Sequence, residues 1–429
     1  MKKVLALWIA LIALTAGSSW SANTKRVIIT FKAGTPAAAR AKVLSGIKGT
    51  AVSTIESNDQ EKKFIAVVAD VPATPKAAAV FGAFDAGGSA GASVTAQDDP
   101  SVASVEEDFT AKWIENAPAT LGEAPFINNG AALGALGLQS FKASGSAVHP
   151  ASIHSAYPWG ITRVKAPSAW DYTQGEKVRV AIIDTGIDLR HKSLQGKVDG
   201  GYNAITDSEA DGSYQDDNGH GTHVAGTIAA NDPEHLMGVA PKARLYAVKV
   251  LDADGSGSLS DVIKGIVWAA DHGMQVANMS LGSANPSDTM QRALRYAKAR
   301  GLVVVAAAGN SGGAVGYPGA YPETIAVAAS DWNDKIASFS SRGPQVKFIA
   351  PGVSVYSSML GGDYATLSGT SMAAPHVTGL AALVVSQGYR GLDGPDGVLA
   401  QLQKAAKSVE GLSAEEQGLG MIDAGKLVR

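Results

Sequence analysis

Apolar and polar positions follow two rhythms in the second half of the chain. Short, almost wholly apolar runs close on a glycine or polar turn: VRVAIIDTG, RLYAVKVL, VANMSLG, LVVVAAAGN and TIAVAAS. Between them, HVAGTIAA, LSDVIKGIVWAADHG and SDTMQRALRYAKARG repeat their apolar residues every three or four positions. The first pattern reads as strands buried on both faces and the second as helices. Alternation of the two predicts an α/β domain with a parallel, doubly wound sheet flanked by helices. Ligands of such sheets bind beyond the carboxyl ends of the strands.

The first half reads differently. KRVIITFKAG is strand-like, TPAAARAKVLSGIKG a helix closed by glycine, and KFIAVVADVP a second strand; an Ala/Gly-rich stretch precedes DPSVASVEEDF, a further strand. This predicts a small βαβ-type module ending near Lys112. From Trp113 to about 153 the sequence is rich in Ala, Gly, Pro and Ser without a sustained period, which reads as a linker open to cutting. At the start, MKK, the apolar run VLALWIALIALTAG and the small residues SSWSA have the order of an export signal, with cleavage expected near Ser21 or Ala22. The run is short for a bilayer span. The expected organisation is therefore 1–22 signal, 23–112 module, 113–153 linker and 154–429 main domain, in a secreted, soluble and monomeric protein.

Composition narrows the chemistry. The chain has no cysteine, so thiolate and disulfide chemistry are excluded. A net charge of −3, with no long basic run, argues against nucleic acid as a partner. After signal removal no membrane partner is expected.

Four residues fall where the sheet reading places ligands. Asp184 ends a strand, and an acid there is costly to leave unpaired. His220 begins a helix after the acidic loop QDDNG, with His223 three residues on. Asn310 follows a strand, and Ser371 stands at the entrance of the apolar helix in GTSMAAPHVTG. Alone, each has a plainer role: a turn acceptor, a packed histidine, a helix cap. The two histidines could also share a metal, but zinc needs about three protein ligands and its familiar helical pair is spaced i, i+4 around a glutamate. Taken together, Asp, His, Asn and Ser occur in one order on one α/β domain.

The motifs VAIIDTGID, HGTHVAGT, AAAGN and GTSMAAPHVTG resemble those of subtilisin-like serine proteases, the subtilases, over about residues 157–428. The resemblance implies a secreted serine endopeptidase made as a self-processed zymogen. Ser371 would be the nucleophile, His220 its general base, Asp184 the group that orients the imidazole, and Asn310 an oxyanion donor. Ser280, Leu281 and Gly282, with Gly255, Ser256 and Gly257, would hold an extended peptide. Ala307, Ala308, Gly309 and Gly316 would line a pocket for large apolar side chains. The preceding module would be a ferredoxin-like inhibitory propeptide laying Phe109–Trp113 in the cleft. Protein or peptide substrates and this propeptide are the implied partners.

No cofactor is implied for catalysis. By the resemblance, the family's usual calcium positions fall on Ser193, Gln345 and Lys347, which lack the expected carboxylates, and on His154 in place of a glutamine; TDSEADGSYQDD reads either as a further calcium site through Asp207, Asp211 and Asp216 or as a solvated acidic loop. Two other readings compete: a catalytically silent binding fold, and a zinc hydrolase built on His220 and His223.

Overall fold

The computed structural model describes residues 24–59, 63–72, 96–114 and 156–428. The export signal, most of the expected linker and His154 lie outside the described residues. Among the described residues, no helix is long and apolar enough to cross a membrane.

The N-terminal module contains β1 (Thr24–Phe31), α1 (Ala37–Gly46), β2 (Thr50–Glu56), β3 (Ile65–Pro72), β4 (Val102–Glu107) and the short β5 (Thr110–Lys112). Its sheet runs in the order β2-β3-β1-β4, and every pair is antiparallel. The expected βαβ unit thus acquires a strand, β2, that pattern reading misses. TAVSTIE is mostly exposed, with only Ile55 buried, so it carries little apolar signal.

The main domain continues with α2 (Trp159–Arg163), β6 (Arg179–Asp184), β7 (Val198–Asn203), α3 (His220–Ala229) and a hairpin of β8 (Asn231–Asp232) and β9 (Leu236–Met237). Next come β10 (Arg244–Lys249), β11 (Ser256–Ser258), α4 (Leu259–Asp271), β12 (Val276–Met279), α5 (Asp288–Ala299), β13 (Val303–Ala307) and β14 (Thr324–Ser330). β15 (Val346–Pro351), β16 (Val355–Ser358), β17 (Tyr364–Leu367) and α6 (Thr370–Ser386) complete the part that builds the site. Seven strands form one parallel sheet in the order β15-β14-β13-β12-β6-β10-β7. Strand order reverses around β6, and this is the topological switch point where a crevice opens. Asp184 is the last residue of that strand.

Alternation along β6 sorts its side chains between two cores. Val180 and Ile182 join the apolar cluster beneath α3 and α6, whereas Ala181 and Ile183 join the one beneath α4 and α5. Helix α3 is buried along its whole length, and α6 from Thr370 to Val385, so neither shows a polar face. That burial is why the two helices read as apolar runs and why their polar residues must find partners inside.

The module docks on the helices α4 and α5 at their N-termini. Ser260 donates from its N–H (2.9 Å) and hydroxyl (2.8 Å) to the Asp108 carboxylate, and Thr289 N–H donates to Glu106 at 2.8 Å. Carboxylates at helix starts satisfy orphan N–H groups and complement the helix dipole. Trp113 and Ile114, expected to open the linker, are instead buried against the main domain.

Candidate active site

Two close approaches bring the Asp184 turn and the His220 helix together. Gly186, just after β6, has φ +110°, and a Cβ there would lie 2.6 Å from the Tyr214 carbonyl oxygen. A Cβ on Gly221 would run into the Gly186 carbonyl oxygen. Only glycine serves at either place. His220 Nδ1 then sits 2.8 Å and 3.0 Å from the two Asp184 oxygens, and Asp184 also accepts the Thr185 N–H at 2.8 Å. Asp184 is fully buried and His220 nearly so. Because the carboxylate accepts, Nδ1 carries the proton and Nε2 keeps its lone pair. Nε2 is buried and has no hydrogen-bond partner among the described residues. An imidazole held this way can accept a proton at Nε2.

Asp216 builds the entry to that helix. Its Oδ1 accepts from the Thr185 hydroxyl and the N–H groups of Asn218 and Gly219, each at 2.9 Å. Its Oδ2 accepts from the Thr222 N–H at 3.0 Å and from the Thr222 hydroxyl. All five contacts come from N–H and O–H donors, so Asp216 acts in this structure as the acceptor that holds the start of the helix. Asp207 and Asp211 instead accept from Tyr202 (2.6 Å) and Tyr214 (3.4 Å). Among the described residues no group of three acidic, histidine or cysteine side chains could hold a metal.

Ser371 sits in the first turn of α6. Pro375 lies four residues on and cannot donate to the Ser371 carbonyl. The Ser280 hydroxyl takes that carbonyl at 2.7 Å, itself accepting from Asn278 (2.8 Å), whose oxygen accepts from Thr378 (2.9 Å). The Ser371 backbone is thus tied to the residue that follows β12. Its hydroxyl donates to the Ser280 carbonyl at 3.1 Å, not to His220. The expected Ser–His hydrogen bond is therefore not made in this structure. Such links are often loose without substrate and tighten when it binds.

Asn310 is oriented by Thr370, whose N–H (2.8 Å) and hydroxyl (2.9 Å) both donate to its carbonyl oxygen. That directs the amide nitrogen the other way. A Cβ on Gly369 would stand 3.5 Å from this nitrogen and 3.6 Å from the Ser371 nitrogen, so both surround one small space. Two donors converging beside a nucleophile can stabilise a developing oxyanion. The adjoining cavity, about 160 Å³, is lined by Ala307, Ala308, Gly309, Val315 and Gly316 among others, with no charged side chain in its wall.

The two proposed edges hold a strand of the chain itself. β5 pairs antiparallel with β11, Trp113 N–H donates to the Gly255 carbonyl (3.0 Å), and Gly282 N–H donates to the Trp113 carbonyl (2.9 Å). The Trp113 indole donates to the Gly257 carbonyl at 2.8 Å. This is the strand-addition mode of peptide recognition.

His223, three residues after His220 on α3, is fully buried and engaged elsewhere. Its Nε2 donates to the carbonyls of Val355 (3.0 Å) and Ala365 (3.2 Å), pinning the β16–β17 hairpin. Burial, reinforced by His220, pushes its pKa down to about 3; burial alone pushes His376, which donates to the Met372 carbonyl, down to about 4. Rings kept neutral stabilise the fold fully above about 6.5, and that contribution is lost as pH falls through their folded values. The melting temperature of a Ser371→Ala protein, which removes self-digestion, is thus expected to fall between pH 6.5 and 4. His376→Gln should flatten part of that slope; an unchanged slope would refute the assignment.

Pattern reading misses Thr185 and Thr370, each one residue from a candidate group, and gives Asp216 and Ser280 other roles.

A model of the Subtilase family matches residues 175–420. Relatives include Subtilisin Savinase of Lederbergia lenta, 52% identical over 53% of this chain and 83% of that protein. Thermitase of Thermoactinomyces vulgaris is 46% identical over 54% and 84%. M-protease of Shouchella clausii (strain KSM-K16) is 52% identical over 53% of this chain, and the match spans 59% of that relative's length.

Proposed function

The chain belongs to the subtilase family, and from that premise we propose that it is a secreted serine endopeptidase which matures by cutting itself. The observation that carries the reading is the buried Asp184–His220 pair with its lone Nε2. Substrate seated as an extended strand between Gly255–Gly257 and Ser280–Gly282 presents its carbonyl to Ser371. His220 takes the hydroxyl proton as the Cα-side carbonyl is attacked, Asp184 balances the imidazolium, and Asn310 with the Ser371 N–H holds the oxyanion. His220 then protonates the leaving amine, and water repeats the sequence on the acyl-enzyme.

The uncharged walls of the adjoining cavity favour large apolar residues before the scissile bond, since a buried acid is needed to select basic ones. The strand from Phe109 to Trp113 lies as a substrate would, which supports the N-terminal module as an intramolecular inhibitor. The silent-fold reading lacks support, because all four candidate groups are present. The zinc reading is disfavoured by His223, whose Nε2 is engaged by carbonyls.

The test is turnover of peptide anilides by the mature protein. Substrates ending in Phe or Leu are expected to exceed those ending in Lys or Asp. Asn310→Ala should lower kcat about 10²–10³-fold with little change in KM, a magnitude that comes from subtilisin, a member of this family. Undiminished kcat in that variant would overturn the oxyanion assignment.

A further inference from the structure

One buried cation stands behind the proposed triad and takes no part in the chemistry above. Lys249 ends β10, where the parallel register sets it beside Asp184 of β6. Two residues earlier on the same strands, Ile182 and Ala247 both enter the cluster under α3 and α6, so alternation directs Asp184 and Lys249 to that face as well. The Lys249 side chain is 6% exposed. Its ammonium donates to the carbonyls of Thr185 (2.7 Å) and Leu251 (2.8 Å) and to Asp217 Oδ1 (2.6 Å), which uses all three protons.

These partners lie on the segments that carry the reacting groups. Thr185 follows Asp184 and donates to it, and its hydroxyl both donates to Asp216 and accepts the Gly221 N–H at 3.0 Å. Asp217 stands three residues before His220. A single ammonium therefore stitches the turn after Asp184 to the loop that opens the His220 helix. We propose that Lys249 is a positioning residue for the Asp184–His220 pair, and that with Asp217 it sets the pH at which the pair works.

The charge argument rests on asymmetry. The Asp217 side chain is 51% exposed, so solvent screens the carboxylate far more than the sunken ammonium. The cation's field is thus only partly cancelled where the imidazole must gain and lose a proton. The other charged or titratable groups on these segments are Asp184 at the end of β6, Asp188 after it, Asp216 on the loop and His223 within α3; none of these is altered in the test. A nearby cation disfavours imidazolium and keeps the base available at lower pH. Removing it should move the acid limb of kcat/KM toward alkaline pH, and removing its exposed counter-charge should move the limb the other way.

This inference rests on the serine-endopeptidase reading. The experiment follows kcat/KM of the mature enzyme on one peptide anilide from pH 5 to 9, with melting temperatures recorded alongside. Lys249→Met is expected to shift the acid limb upward by roughly half a unit and to lower kcat more than it raises KM. Asp217→Asn is expected to shift it downward by a few tenths of a unit, an effect that shrinks in high salt. Opposite directions are the signature, because loss of packing alone would not reverse sign between the two. Limbs that coincide with wild type, or that both move the same way, overturn the proposal. Should Lys249→Met fail to fold, Asp217→Asn decides alone, and an unmoved limb refutes it. A wild-type protein with no turnover at any pH would refute the endopeptidase reading instead, before the variants are compared.

Discussion

Ser371→Ala is expected to leave the polypeptide at its full, uncut length and to lower amide turnover about 10⁶-fold, the magnitude being that of subtilisin itself. The substitution removes one oxygen and little else. The Ser371 hydroxyl makes a single described hydrogen bond, to the Ser280 carbonyl, while the backbone tie from the Ser280 hydroxyl to the Ser371 carbonyl is untouched. The stability cost should therefore be about 1 kcal/mol, a typical net value for one hydrogen bond. A near-wild-type melting temperature with abolished turnover would separate lost chemistry from lost fold. Mass measurement of the product adds a second readout. If the chain cuts itself, wild type loses the N-terminal module and the variant retains it, with the strand from Thr110 to Lys112 still paired to β11. Equal lengths and equal activity would remove Ser371 from the mechanism and the self-processing proposal with it.

How much of this was legible in the sequence depends on which force shapes each element. Strands β6, β10, β12, β13 and β14 and helices α4 and α5 are driven by burial of apolar side chains, and burial leaves a periodic trace. β7, with GGYN at its end, and the β16–β17 hairpin escape pattern reading. They carry glycines and serines whose job is close approach and hydrogen bonding; Ser357 and Ser358, for example, donate to the carbonyls of His223 and Thr222. The triad candidates were legible because motif order places them. The groups that hold them were not: Asp216 reads as one more carboxylate in an acidic loop, and only the fold turns it inward to collect five donors. In sequence, a string of aspartates looks alike whether it binds a cation or accepts from a helix start. Trp113 reads as linker because its partners, Gly255, Gly257 and Gly282, lie more than a hundred residues away. Contacts of that separation have no local signal.

Asp184→Asn is expected to reduce kcat about 10⁴-fold with KM within a few-fold and the fold intact. Asparagine keeps the shape, and its oxygen can still accept the Thr185 N–H that now reaches Asp184 Oδ1 at 2.8 Å. Satisfying that donor places the new amide group where Oδ2 stands, 3.0 Å from His220 Nδ1. An NH₂ there opposes a proton on Nδ1 and competes with the oxygen that stays 2.8 Å away, which favours the tautomer with the ring proton on Nε2. The ring then offers Ser371 a donor in place of a lone pair, and it cannot take the hydroxyl proton. The imidazolium also loses the buried negative charge that balances it in a site with little water. Steady-state kinetics on a peptide anilide, together with the amplitude of active-site titration, measure both effects. A loss under tenfold would mean that Asp184 serves only as a turn acceptor, and that the 2.8 Å contact to His220 is packing without catalytic consequence.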